Sequence, residues 1–118
     1  MKLSSRLYLC CSLLIVTNIV STDAHAAATN IEQGKDIAFN RNKGNCLSCH
    51  FVQGAEMTGS IAPPLLQMEL RYPDRDKLRA QIWDATVRNT ESVMPPYGRH
   101  GILTEKEIDL VLDYVYSL

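Results

Sequence analysis

Residues 46–50 read Cys-Leu-Ser-Cys-His, two thiols two residues apart with an imidazole directly behind the second. No other feature of this chain narrows its fold so far. Each chemistry that uses such a pair demands its own scaffold. A thioredoxin-type dithiol opens a helix that follows a strand of a βαβ unit. The residues before Cys46, Asn40-Arg41-Asn42-Lys43-Gly44-Asn45, are polar and turn-like and offer no such strand. A structural zinc site needs four ligands, usually in two spaced pairs. The remaining use of C-x-x-C-H is covalent attachment of a c-type haem. There the two thiols add to the two porphyrin vinyl groups, and the gap of two residues spans the distance between them. The histidine is then carried to the iron as one axial ligand.

The rest of the chain separates these uses. It has 118 residues and opens with Lys2 and Arg6, an apolar run from Leu7 to Val20, and Ala24-His25-Ala26. Charge, short apolar stretch and small-x-small site form a Sec-type signal peptide over residues 1–26, which predicts export to the periplasm. Ser12, Thr17 and Asn18 interrupt the run, which is also short for a membrane span. An uncleaved N-terminal anchor is the alternative. Cys10 and Cys11 fall inside the run, and Leu9 is not the small residue that a lipoprotein site requires before its cysteine. Cleavage after Ala26 leaves a single domain, residues 27–118, of about 92 residues. It retains only Cys46 and Cys49 as cysteines, and His100 is its only histidine besides His50. The zinc count therefore fails, and haem attachment through Cys46 and Cys49 with His50 as axial ligand is the reading that remains. A domain this small has a marginal core, and one large covalently held cofactor supplies apolar surface.

Charge excludes other partners. Removing Lys2, Arg6 and Asp23 from twelve basic and thirteen acidic side chains leaves ten and twelve. A near-neutral domain without a basic block is not built for nucleic acid or anionic membranes. The charged run Arg71-Tyr72-Pro73-Asp74-Arg75-Asp76-Lys77-Leu78-Arg79 is read as a solvated loop and helix start, with a docking surface as the alternative.

The second axial ligand sets the redox chemistry. Met57 lies seven residues past His50, a short path around a haem edge. Met68 is flanked by leucines and reads as packing. Met94 precedes Pro95 and Pro96, which stiffen the chain in extended form. It is far enough along the chain to return across the opposite haem face. Met94 is the expected ligand and His100 the runner-up. A His/Met pair raises the reduction potential, as suits an electron acceptor or shuttle. A ligating histidine donates its other ring N–H to a fixed acceptor, and the Pro63 carbonyl in Ala62-Pro63-Pro64-Leu65-Leu66 is a plausible one.

The scaffold reads as all-α. One helix is expected over 31–40 with Asn30 as its cap, carrying Gly34 as a point of close helix approach. A second is expected over 76–88 with Leu78 and Ile82 on one face and Trp83 beside it. A third starts at Thr104, which forms a capping box with Glu107, and continues through Ile108, Val111, Leu112 and Val115 at helical spacing. With both axial positions filled, no open site for substrate and no gathered acid/base pair, no catalytic residue is assigned to this chain.

Together these features resemble the class I c-type cytochromes over nearly all of residues 27–118. The runs Ala38–His50, Ile61–Leu65 and Met94–Leu118 are similar to the SoxX family, the small monohaem subunits of SoxAX complexes. Ala62 stands where that family's loop is expected to have glycine. The resemblance implies one haem c held by Cys46, Cys49, His50 and Met94. It also implies a periplasmic heterodimer with a larger SoxA-like haem subunit. That partner would carry the cysteine of an L-cysteine S-thiosulfotransferase that couples thiosulfate to a carrier protein. This chain would accept the released electrons one at a time and pass them to a downstream electron-accepting cytochrome. The alternatives are a freestanding monohaem shuttle to an oxidase or photosynthetic centre, and a haem sensor in which a ligand displaces Met94.

Overall fold

The computed structural model describes residues 22–118. The charged start and apolar run of the expected signal peptide lie outside the described residues. The alanine pair of the expected cleavage site, Ala24 and Ala26, is exposed on the first helix.

Four α-helices, α1 Thr22–Phe39, α2 Met68–Arg71, α3 Arg75–Trp83 and α4 Glu105–Tyr116, carry the fold, with 3-10 turns at Cys46–Ser48 and Ala85–Val87. Among the described residues there is no strand, only an isolated parallel bridge between Val52 and Leu65. No described helix is long and apolar enough to cross a membrane.

The frame of the molecule is the crossing of α1 and α4. Gly34 is buried where the helices meet. A Cβ added there would collide with the Leu110 carbonyl and reach the Tyr114 Cβ at 3.0 Å, so only hydrogen permits this approach. Beside the crossing, Phe39 packs edge-on against Tyr114, with ring centroids 5.9 Å apart. Ile108, Val111, Leu112 and Val115 point inward from α4 and are buried. Thr104 caps α4 by accepting from the Glu107 N–H, and the Glu107 carboxylate accepts from the Thr104 N–H at 3.0 Å, closing the expected box.

Three expectations are corrected. The first helix begins at Thr22 rather than Ile31, so Asn30 is an interior residue and caps nothing. The alanine-rich stretch 24–28 is strong helix former and extends the element backward. The second helix ends at Trp83 instead of continuing to Arg88. Asp84 adopts an extended backbone there, and its side chain accepts from the Thr86 N–H to cap a separate 3-10 turn. This is the usual competition of aspartate with helix propagation. Its start is capped by Asp74, which accepts from Asp76 and Lys77. The third correction is α2, a single turn not anticipated in the sequence, which buries Met68 and is tied to the chain end by the Met68 N–H donating to the Leu118 carbonyl at 2.9 Å.

Ion pairs along one side join α3 to α4: Arg79 to Asp109 at 2.6 Å and to Glu105 at 3.4 Å, and Arg75 to Asp113. The run 71–79 is thus neither wholly solvated nor free. Its Arg75 is committed to α4 and stacks over Tyr116 at 5.2 Å.

The candidate haem site

The attachment motif folds as a tight turn. Asn45 takes a left-handed backbone, φ 48°, and leads into the 3-10 turn Cys46–Ser48. The N–H groups of Cys49 and His50 both donate to the Cys46 carbonyl, at 3.2 and 2.9 Å. This brings Cys46, Cys49 and His50 onto the wall of one cavity of about 690 Å³. Both thiols are free. The cavity is bounded by the 61–65 loop, by Met68 of α2, by Leu78 and Ile82 of α3, by Val111 and Val115 of α4, and by Met94 and Tyr97 of the loop before α4.

Each residue expected at the site has a definite place. His50 Nδ1 lies 2.7 Å from the Pro63 carbonyl oxygen, within the loop held by the Ala62 N–H donating to the Cys49 carbonyl at 3.0 Å and the Leu65 N–H to the Phe51 carbonyl at 2.9 Å. A carbonyl can only accept, so Nδ1 carries the proton and Nε2 is left with its lone pair. That is the tautomer a metal ligand needs. Ala62 supports this turn in place of the expected glycine. Met94 is partly buried on the cavity wall, its N–H donating to the Ser92 hydroxyl at 3.3 Å. Met57 is 81% exposed and does not line this cavity. Met68 does line it, from a buried position in the core. His100 is exposed and is not among the lining residues.

Burial pushes the Cys46 thiol up to about 11, opposed by a backbone hydrogen bond and aided by nearby Cys49. Reactive dithiols work the other way, through depressed values that populate the thiolate. The Cys46 thiol is thus held in its protonated form rather than activated. Among the described residues, no group of three or more His, Cys, Asp or Glu side chains is placed together.

Two buried residues, one on the cavity wall and one at the end of α3, were missed in the sequence. Tyr97 is buried and donates its hydroxyl to the Gly44 carbonyl, two residues before Cys46. Burial, then the two cysteines, raises it to about 12, so it stays a donor. It joins the loop of Met94 to the loop of the attachment turn. A lone tyrosine after two prolines carries no signal of such a bond. Asp84 is the other, a carboxylate only 5% exposed. It accepts from the Thr86 hydroxyl and from Arg99, and these hold it below the usual carboxylate range, the Thr86 hydroxyl most strongly.

The residues fit haem c. An apolar cavity carries two unpaired thiols from one tight turn, one oriented imidazole and the thioethers of Met94 and Met68. What closes around it is a class I cytochrome c fold. The chain matches the family described as "Cytochrome C oxidase, cbb3-type, subunit III" over residues 29–115. It belongs to that family, and the c-type haem is the cofactor of its domain. Among solved structures it is similar to a chain of the crystal structure of SoxXA from P. pantotrophus, at 25% identity and a TM-score of 0.67. The match covers 75% of this chain and 80% of that one. The likeness to SoxX read from the sequence is thus met by a likeness of structure. No curated protein matches the chain in sequence.

Proposed function

We propose that this chain is the periplasmic electron-transfer subunit of a thiosulfate-oxidising, SoxAX-type complex. It is exported with cleavage after Ala26. Cys46 and Cys49 would hold one haem c, with His50 and Met94 as the residues that would ligate its iron and the Pro63 carbonyl orienting His50. Bound there, the haem supplies a reversible one-electron centre. The residues of the chain do the rest. Met94 tunes the potential upward, Pro63 fixes the imidazole, and the packed faces of α3 and α4 exclude water. The partner is a larger SoxA-like haem subunit whose cysteine couples thiosulfate to a carrier protein. This chain takes the electrons released and passes them to a further cytochrome.

The observation that carries the assignment is the structural likeness to the SoxXA chain across 80% of that chain's length. A second reading is favoured by the description of the matching family, which belongs to an oxidase subunit. On that reading the chain is a freestanding monohaem carrier delivering electrons to an oxidase. Affinity purification of the mature protein from its native periplasm, followed by mass spectrometry, separates the two. Co-purification of a larger haem protein with a modified cysteine supports the SoxAX-type subunit. A lone monohaem protein moves the function to the general carrier.

A further inference from the structure

The loop that brings Met94 to the cavity is held unequally at its two ends. Among the described residues, its near end, residues 88–93, makes only local hydrogen bonds, such as the Ser92 N–H to the Asn89 carbonyl. Its far end is docked onto the corner between α3 and the following 3-10 turn. The Gly98 N–H donates to the Trp83 carbonyl at 3.0 Å. A Cβ on Gly98 would run into the Trp83 ring, so the loop lies flush against the indole. One residue further, Arg99 Nε meets Asp84 Oδ2 at 2.5 Å, and its other nitrogen reaches the Thr86 hydroxyl at 3.4 Å. Asp84 is thus a buried carboxylate whose one cationic partner comes from the Met94 loop.

We propose that Asp84 and Arg99 form a clasp that fixes this loop, and that they are positioning residues for the Met94 thioether. The proposal rests on Met94 being the axial ligand. The link between clasp and thioether is short and stiff. Four residues separate Met94 from Arg99, and two of them are proline. Asp84 needs no cation to cap the 3-10 turn, because the Thr86 N–H and hydroxyl already do that. The charge serves the contact between elements. Opening it leaves that end of the loop, which also carries the exposed His100, held by the Gly98–Trp83 and Tyr97–Gly44 hydrogen bonds without its ion pair.

Imidazole titration of the ferric holoprotein tests this, read by loss of the ferric sulfur-to-iron absorption band. Apparent affinity for an external ligand scales with the fraction of molecules whose site is open. In Asp84→Asn and in Arg99→Gln, imidazole is expected to bind at least roughly tenfold more tightly than in the parent. The double variant is expected to add little, since the two residues act as a unit. Arg99→Lys is expected to recover part of the parent behaviour. Asp74→Ala, which removes the cap at the start of α3, the opposite end of that helix from Trp83, is expected to lower the Tm without changing imidazole affinity. If Asp84→Asn yields no holoprotein, Arg99→Gln decides alone, since it leaves the Asp84–Thr86 bonds in place. An imidazole affinity unchanged in Arg99→Gln, with the band present in the parent, overturns the clasp and leaves Met94 ligation standing. Absence of the band in the parent overturns both.

Discussion

His50 Nδ1 and the Pro63 carbonyl oxygen stand 2.7 Å apart, thirteen residues distant in sequence. This bond fixes the ring so that Nε2 is free for iron, and it makes the imidazole more electron-donating. Pro63→Gly loosens the loop that presents the carbonyl. A weaker bond makes His50 a poorer donor to the ferric state, so the reduction potential should rise. A loss of about 1 kcal/mol of ferric-selective stabilisation corresponds to roughly 40 mV for a one-electron couple. Potentiometric titration checks this, and a potential that stays level or falls would count against the role of Pro63.

Gly34 should tolerate no side chain. Gly34→Ala places a methyl into the Leu110 carbonyl at the α1–α4 crossing. Overpacking of this kind costs about 1–3 kcal/mol, and a backbone obstacle belongs at the upper end. For a domain of this size each kcal/mol shifts Tm by about 4–8 °C. A thermal melt of the holoprotein should therefore fall by at least about 8 °C, and a fall of a degree or two would mean the crossing can open without strain.

Much of this frame is legible in the sequence. A capping box, an apolar face repeating at helical spacing and one glycine inside a helix announce α4 and its crossing with α1, because each is a local rule. The attachment motif is legible for the same reason. Other features depend on contacts between distant segments. Tyr97 finds Gly44 only once the loop has folded back. The second helix ends early because Asp84 is drawn to Thr86 and Arg99, whereas its helical periodicity alone continues to Arg88. The short α2 exists because Met68 is buried against the core and tied to Leu118, which no propensity announces.

Tyr97→Phe removes one oxygen and leaves the Gly44 carbonyl without its donor. A buried acceptor left unpaired costs about 1–3 kcal/mol. Equilibrium denaturant unfolding should show a lower midpoint with an unchanged slope. An unchanged midpoint would show that the tyrosine hydroxyl does not hold the two loops together.

Acid stability should depend on Glu107. Its contact with Lys43, then the Thr104 backbone N–H, brings its carboxyl from 4.5 down to about 2. Because the folded value is depressed, the stabilisation is fully present above the unfolded value of 4.5. It is lost as pH falls through that value toward about 2. Glu107→Gln keeps the capping geometry and removes the charge. The stability gap between parent and variant should be constant near neutrality, close across this window and vanish below it. A gap that persists unchanged at the acid end would place the effect in packing rather than charge.

The central claim is that Met94 completes the iron coordination opposite His50. The ferric absorption spectrum of the Met94→Ala holoprotein tests it most directly. The parent should show the sulfur-to-iron band, and the variant should lose it while keeping covalently attached haem and showing a lower reduction potential. Survival of the band in the variant would contradict the account, since another sulfur would then hold the iron.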